Sequence, residues 1–67
     1  MPEIIVNGEP REMPAGTTLA AMIRDLGRDP RHVFAEVNGE VAMPADYDRI
    51  ALRGGDRIEL VAFVGGG

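Results

Sequence analysis

The sequence predicts an α+β domain in which one helix packs across one face of a mixed β-sheet. Three observations lead to this class. Asn7-Gly8 follows a short β-branched run, and an Asn-Gly pair is the strongest local hairpin signal because both turn residues adopt positive φ. Apolar residues then recur at helical spacing from Leu19 to Leu26. Short strand-like segments bounded by Gly and Pro follow the helix.

The N-terminal part of the chain is predicted to hold two strands and the helix. Residues 1–6 form the first strand, and residues 10–13 return beside it after the turn. Thr17 or Thr18 can cap the first helical amides, and Gly27 stands where a left-handed residue ends a helix. The apolar stripe of the helix consists of Leu19, Met22, Ile23 and Leu26.

The remainder of the chain is predicted to be mostly extended. Tyr47 is expected to cover the small core, within a turn or single helical turn at residues 44–48. The predicted strands cover residues 33–37, 41–43, 50–52 and 57–63. The methionines expected to fill the core are Met13, Met22 and Met43.

Composition narrows the functional classes. A chain of 67 residues forms one domain and leaves little room for an enclosed active site of about 300–1,000 Å³, which favours a carrier, binder or subunit over an enzyme. A net charge of −4 argues against nucleic-acid binding. The sequence has no cysteine and no long apolar run, so we expect a cytoplasmic protein that does not span a membrane and is monomeric when free.

The last three residues are all glycine and form the clearest functional feature. We predict a folded domain over residues 1–64 and a flexible tail over residues 65–67. Three extended residues reach about 10 Å, and Gly65 and Gly66 lack the Cβ that would obstruct a narrow channel in a partner. The carboxylate of Gly67 is then the predicted working group. The chain has no phosphate-binding loop, so another protein must activate that carboxylate, typically as an acyl-adenylate.

Strand alternation predicts a partner-binding face beside the tail. In the last strand Ile58, Leu60 and Ala62 should face the helix, which places the intervening residues on the opposite face. Exposed apolar clusters of this kind mark interfaces. The predicted partner interface consists of Ile5, Phe34, Val61 and Phe63.

Five segments in this order resemble the ThiS-type sulfur carriers of thiamine biosynthesis, and the likeness covers essentially the whole chain. The first is the N-terminal strand with Asn7-Gly8. The others are residues 16–19 (GTTL), 37–41 (VNGEV), 55–59 (GDRIE) and 63–67 (FVGGG).

This resemblance implies a ubiquitin-like β-grasp fold and a protein that is not itself an enzyme. It implies that a ThiF-like adenylating enzyme uses ATP to activate Gly67 and that a cysteine desulfurase supplies the sulfur of a Gly67 thiocarboxylate. A ThiG-like thiazole synthase would receive that sulfur. No cofactor or metal bound by the chain itself is implied.

Three alternatives stay open at this point: a carrier for molybdopterin or another sulfur metabolite, a ubiquitin-like modifier joined to lysines through Gly67, and an interaction module with a flexible tail.

The remaining polar residues that could suggest a metal site or a catalytic site are expected to have structural roles instead. His32 is expected to be a surface residue without metal partners. The aspartates Asp46, Asp48 and Asp56 are expected to form turns rather than to catalyse.

Overall fold

The computed structural model describes residues 1–62, which form a five-stranded mixed sheet with one helix packed on one face. The elements are β1 (Glu3–Val6), β2 (Glu9–Glu12), α1 (Leu19–Asp25), β3 (Val33–Val37), β4 (Glu40–Ala42) and β5 (Arg57–Ala62), with single 3₁₀ turns at Pro30–His32 and Pro44–Asp46. The strands lie in the order β2-β1-β5-β3-β4, and β5 pairs parallel with β1 and antiparallel with β3.

Both Asn-Gly pairs form hairpin turns, and the one at Asn7-Gly8 confirms the turn predicted from the sequence. Asn7 and Asn38 have φ of 49° and 53°, and the glycine after each also has positive φ, as a type I′ turn requires. Asn7 has a second task. Its side-chain carbonyl accepts a hydrogen bond from the Leu60 amide at 2.8 Å, which continues the pairing between β1 and β5 where the chain turns away.

Helix α1 is short and has a defined residue at each end. Of the two candidate caps, Thr18 is the one used, because its hydroxyl oxygen accepts a hydrogen bond from the Ala21 amide at 3.1 Å. Gly27 adopts a φ of 80° and ends the helix, and the Arg28 amide donates back to the Ile23 carbonyl at 3.1 Å. A seven-residue helix is not stable alone, so these caps and the buried stripe sustain it.

The core lies between α1 and the sheet, and Tyr47 closes one end of it. The Tyr47 side chain is 1% exposed, and its hydroxyl donates a hydrogen bond to the Val33 carbonyl at 2.8 Å. The predicted role of Tyr47 as a cover over the core is thus confirmed. The core residues are Ile4, Val6, Met13, Leu19, Ala20, Met22, Ile23, Val33, Ala35, Ala42, Tyr47, Leu52 and Ile58.

One predicted core residue is on the surface. Met13 and Met22 are buried as expected, but Met43 is 60% exposed, so its assignment to the core was wrong. The reason is the two-residue period of a strand, because Ala42 points into the core and the next side chain must point away.

Within residues 1–62, no helix combines the length and the apolar character that crossing a membrane requires.

Candidate functional site

Along the sequence, the predicted glycine tail follows the middle strand of the sheet. β5 is the central strand, and it ends at Ala62, five residues before the end of the sequence. Four predicted site residues and the predicted domain boundary at residue 64 lie outside the described residues. The four residues are Phe63, Gly65, Gly66 and Gly67.

The two faces of β5 differ as the sequence predicts. Ile58 is buried on the helix side, and Leu60 and Ala62 are half-buried there. Arg57, Glu59 and Val61 are exposed on the opposite face. On the helix-free face of the sheet, β5 is therefore exposed up to its last turn of alternation at Val61.

Two of the predicted interface residues meet on this face. Phe34 and Val61 are directly opposite each other in the β3–β5 register, and their exposed fractions are 52% and 62%. Val41 lies on β4 opposite Glu36 and is 69% exposed. We call Phe34, Val41 and Val61 the apolar patch. Together with Ala35, Glu36 and Glu59 they line a shallow depression of about 400 Å³.

Val41 was missed by the sequence-based selection of interface residues, although a local signal for it exists. The Asn38-Gly39 turn sets the hairpin register, and that register places Val41 opposite Glu36 on the helix-free face. Counting outward from the turn identifies this position without any knowledge of the strand order.

Ile5 shares the face but does not join the apolar patch. It is half-buried and lies between Pro10 on β2 and Arg57 on β5. Arg57 precedes Val61 by four residues, which is about 13 Å along a strand. The structure therefore does not bring Ile5 together with Phe34 and Val61, and its predicted role in partner binding stays a prediction.

A second depression lies on the helix side of the sheet, beside Leu60 and Ala62 at the end of β5, and has a volume of about 270 Å³. It contains two arginines, Arg11 and Arg28, that the sequence-based selection did not single out. The β2 hairpin and the residues after α1 bring them together, a juxtaposition with no local sequence signal. The remaining lining residues are Val6, Asn7, Glu9, Leu26, Val33, Leu60 and Ala62.

His32, the one histidine of the sequence, lies on the surface near an ion pair. The His32 side chain is 70% exposed, with its Nδ1 4.0 Å from a carboxylate oxygen of Asp29. The Arg31 guanidinium donates hydrogen bonds to Asp29 and holds the pKa of that carboxyl well below its usual range. Within residues 1–62, no three His, Cys, Asp or Glu side chains are grouped so that they could hold a metal ion.

The aspartates occupy turns and exposed ion pairs. The Asp56 carboxylate accepts hydrogen bonds from the Arg53 amide at 2.8 Å and the Asn38 side-chain amide at 3.0 Å, which confirms its role as a turn former. The carboxylates of Asp46 and Asp48 each lie within 4.0 Å of an arginine.

Over residues 1–62, the central position of β5 and the helix α1 packed across the sheet define a small ubiquitin-like β-grasp domain. Residues 4–67 match the family model of the ThiS family, and the chain belongs to this family. Two solved structures with 28% sequence identity share the fold, both of the thiamine biosynthesis protein ThiS from Geobacter metallireducens. The crystal structure has a TM-score of 0.80, with 97% of this chain and 99% of that chain covered. The solution structure has a TM-score of 0.76, with 97% and 87% covered.

Two curated relatives are thiazole synthases. The protein of Paramagnetospirillum magneticum is 40% identical and that of Magnetococcus marinus 42% identical, each over 65 residues. These matches cover 97% of this chain but 20% of each relative. The chain thus spans about a fifth of the length of these relatives. The predicted fold class and the predicted family resemblance are both confirmed.

Proposed function

We propose that this chain is a sulfur carrier of thiamine biosynthesis, a protein substrate of other enzymes rather than an enzyme itself. The observation that carries the proposal is the family match, which runs through the final glycine rather than ending with the folded domain. The similar proteins add support, since the solved structures are thiamine biosynthesis proteins and the curated relatives are thiazole synthases.

The chemistry begins at the carboxylate of Gly67. A ThiF-like adenylating enzyme joins this carboxylate to the α-phosphate of ATP and releases pyrophosphate. A persulfide that a cysteine desulfurase has loaded with sulfur then attacks the acyl carbon, and AMP leaves with the electron pair of the broken C–O bond. A thiol cleaves the S–S bond of the resulting acyl persulfide, which leaves a thiocarboxylate on Gly67 and a disulfide. The chain has no cysteine, so both thiols belong to partners.

The domain contributes recognition and reach. The five residues after Ala62 span about 17 Å when extended, which places Gly67 inside a partner while the sheet stays outside. Gly65 and Gly66 have no side chain, and this part of the chain can therefore pass through a narrow channel in the partner protein. The proposed contact surface includes Phe34 and Val61, with Phe63 and Ile5 as further candidates. A ThiG-like thiazole synthase is the proposed sulfur acceptor.

Intact mass spectrometry tests the carrier chemistry. The purified chain is incubated with the adenylating enzyme of the same organism, ATP, a cysteine desulfurase and cysteine. We expect a mass increase equal to the replacement of one oxygen by sulfur. Deletion of Gly67 should abolish this product and leave the thermal midpoint unchanged. A matched control is Gly54→Ala, because Gly54 has no positive φ and an added Cβ meets only the Pro2 Cβ at 3.9 Å.

The same experiment separates the alternatives. Failure of the unaltered chain to gain sulfur under these conditions contradicts the proposal. Covalent adducts of higher mass would instead identify a protein modifier. Transfer of the sulfur to a molybdopterin precursor, with none to a thiazole synthase, would assign the carrier to the other pathway.

A further inference from the structure

Two glutamates face each other across the centre of the helix-free face. Glu36 on β3 and Glu59 on β5 are direct register partners, and both side chains are exposed. Like charges directly opposite each other destabilise a sheet. Within residues 1–62, neither carboxylate lies within 4.0 Å of a basic group, although Arg57 occupies the same face of β5. Over the described residues, no ion pair of the free domain therefore offsets this repulsion.

The glutamate pair is bordered by apolar surface on two sides. Val41 follows Glu36 in the same row across the sheet, and the Phe34–Val61 pair forms the adjacent row towards the tail. All five side chains line the same shallow depression. An acidic centre with an apolar border is a surface that a protein can cover, because the border excludes water and strengthens the charge interaction inside it.

We propose that this face docks on a partner protein that places one arginine or lysine between Glu36 and Glu59 and covers the apolar patch with apolar side chains. Charge complementarity selects this occupant, since a single cation would neutralise the repulsion that the free domain retains. The inference rests on the proposed function, and it assigns the surface to the adenylating enzyme that must hold the domain while the tail enters its active site.

The sheet contains a second glutamate pair that serves as a matched control. Glu3 and Glu12 are direct register partners on β1 and β2, and both are exposed. This pair has the same charge and is also directly opposite in an antiparallel register, but it lies at the opposite edge of the sheet from Val41. General acidity of the chain would make the two pairs equivalent, whereas a docking site distinguishes them.

The experiment compares the unaltered chain with the double variants E36Q/E59Q and E3Q/E12Q. Calorimetric titration with the adenylating enzyme of the same organism, without ATP, gives Kd at low and high salt. We expect E36Q/E59Q to raise Kd at low salt by at least about tenfold and to reduce its salt dependence, and E3Q/E12Q to leave Kd within about twofold. Both variants should fold, and the thermal midpoint of free E36Q/E59Q should be higher than that of the unaltered chain because the repulsion is relieved.

Equal Kd values for the two double variants, or no binding by the unaltered chain, would overturn the docking proposal. A second measurement keeps the proposed function separate. With saturating enzyme and ATP, the unaltered chain should form the acyl-adenylate. Adenylation with equal Kd values for both variants would refute the docking surface alone. Binding that depends on Glu36 and Glu59 without adenylation would refute the carrier function alone.

Discussion

Tyr47 is the largest fully buried side chain among the described residues, and its hydroxyl makes a buried hydrogen bond. Burial raises the pKa of Tyr47 because the ionised phenolate would lose its hydration. The sequence contains no lysine or cysteine, and Tyr47 is its one tyrosine. No other side chain therefore titrates between about pH 9 and 11. The alkaline stability of the protein thus reports on one residue.

We predict that Tyr47→Phe lowers the free energy of unfolding at neutral pH by about 1 kcal/mol, because the Val33 carbonyl loses its donor. In the unaltered protein, the contribution of Tyr47 to stability should be fully present below about pH 10, the pKa of an unfolded tyrosine, and should be lost as the pH rises through the higher folded pKa. The variant should lose this dependence. Urea unfolding between about pH 8 and 11 checks both effects. An equally steep alkaline decline in the variant would contradict the assignment.

The side chain of Asn7 supplies a hydrogen-bond acceptor where the backbone pairing between β1 and β5 ends. It keeps the positive φ of the turn and also holds the Leu60 amide near the end of β5. We predict that Asn7→Gly retains the turn but costs about 1 kcal/mol and speeds hydrogen exchange at the Leu60 amide. Asn7→Asp keeps the acceptor and is the control. Unchanged exchange at Leu60 in the glycine variant would show that the hydrogen bond contributes nothing.

At the level of elements, helix α1 depends on its cap. Thr18 accepts from the Ala21 amide, whereas the hydroxyl of Thr17 donates to the Pro14 carbonyl at 2.7 Å outside the helix. We predict that Thr18→Ala costs about 1 kcal/mol of unfolding free energy and that Thr17→Ala costs less. Chemical denaturation of the two variants measures the difference. A larger loss for Thr17→Ala would mean that the turn before the helix, rather than the cap, limits stability.

The elements also show how far sequence patterns reach. The stripe from Leu19 to Ile23, both Asn-Gly turns and the alternation of β5 are local, and all were predictable. The position of Ile5 relative to Phe34 was not, because it depends on which strands become neighbours. Alternation assigns a side chain to a face, but only the strand order shows that Arg57 lies beside Ile5.

The site shows the same division between local and long-range information. The sequence predicted that Phe34 and Val61 are exposed members of a partner interface, and their side chains are exposed and directly opposite each other. The Glu36–Glu59 pair was not predicted from the sequence, because the two residues are far apart along the chain and meet only through the β3–β5 register. The glycine tail could be predicted without the structure, because three consecutive glycines at the end of the sequence are unusual by composition.

At the scale of the whole molecule, the last described strand along the chain, β5, is the central strand of the sheet. β5 joins the β1–β2 hairpin to the β3–β4 hairpin, and Ile58 contributes to the core. The fold described for residues 1–62 is therefore complete only when residues 57–62 are in place, and the predicted tail at residues 65–67 follows two residues further along the sequence. A domain of this size has an unfolding free energy of about 3–5 kcal/mol, so it cannot lose a central strand.

Two truncations test this separation of fold and tail. A chain ending at residue 56 lacks β5, and we predict that it shows no cooperative thermal transition by circular dichroism. A chain ending at residue 64 retains every described element and every described core residue, so its free energy of unfolding should lie within about 0.5 kcal/mol of that of the unaltered protein. A large loss of stability in the longer truncation would show that the glycines are part of the folded domain. A cooperative transition in the shorter one would show that the two hairpins and the helix form a core without β5.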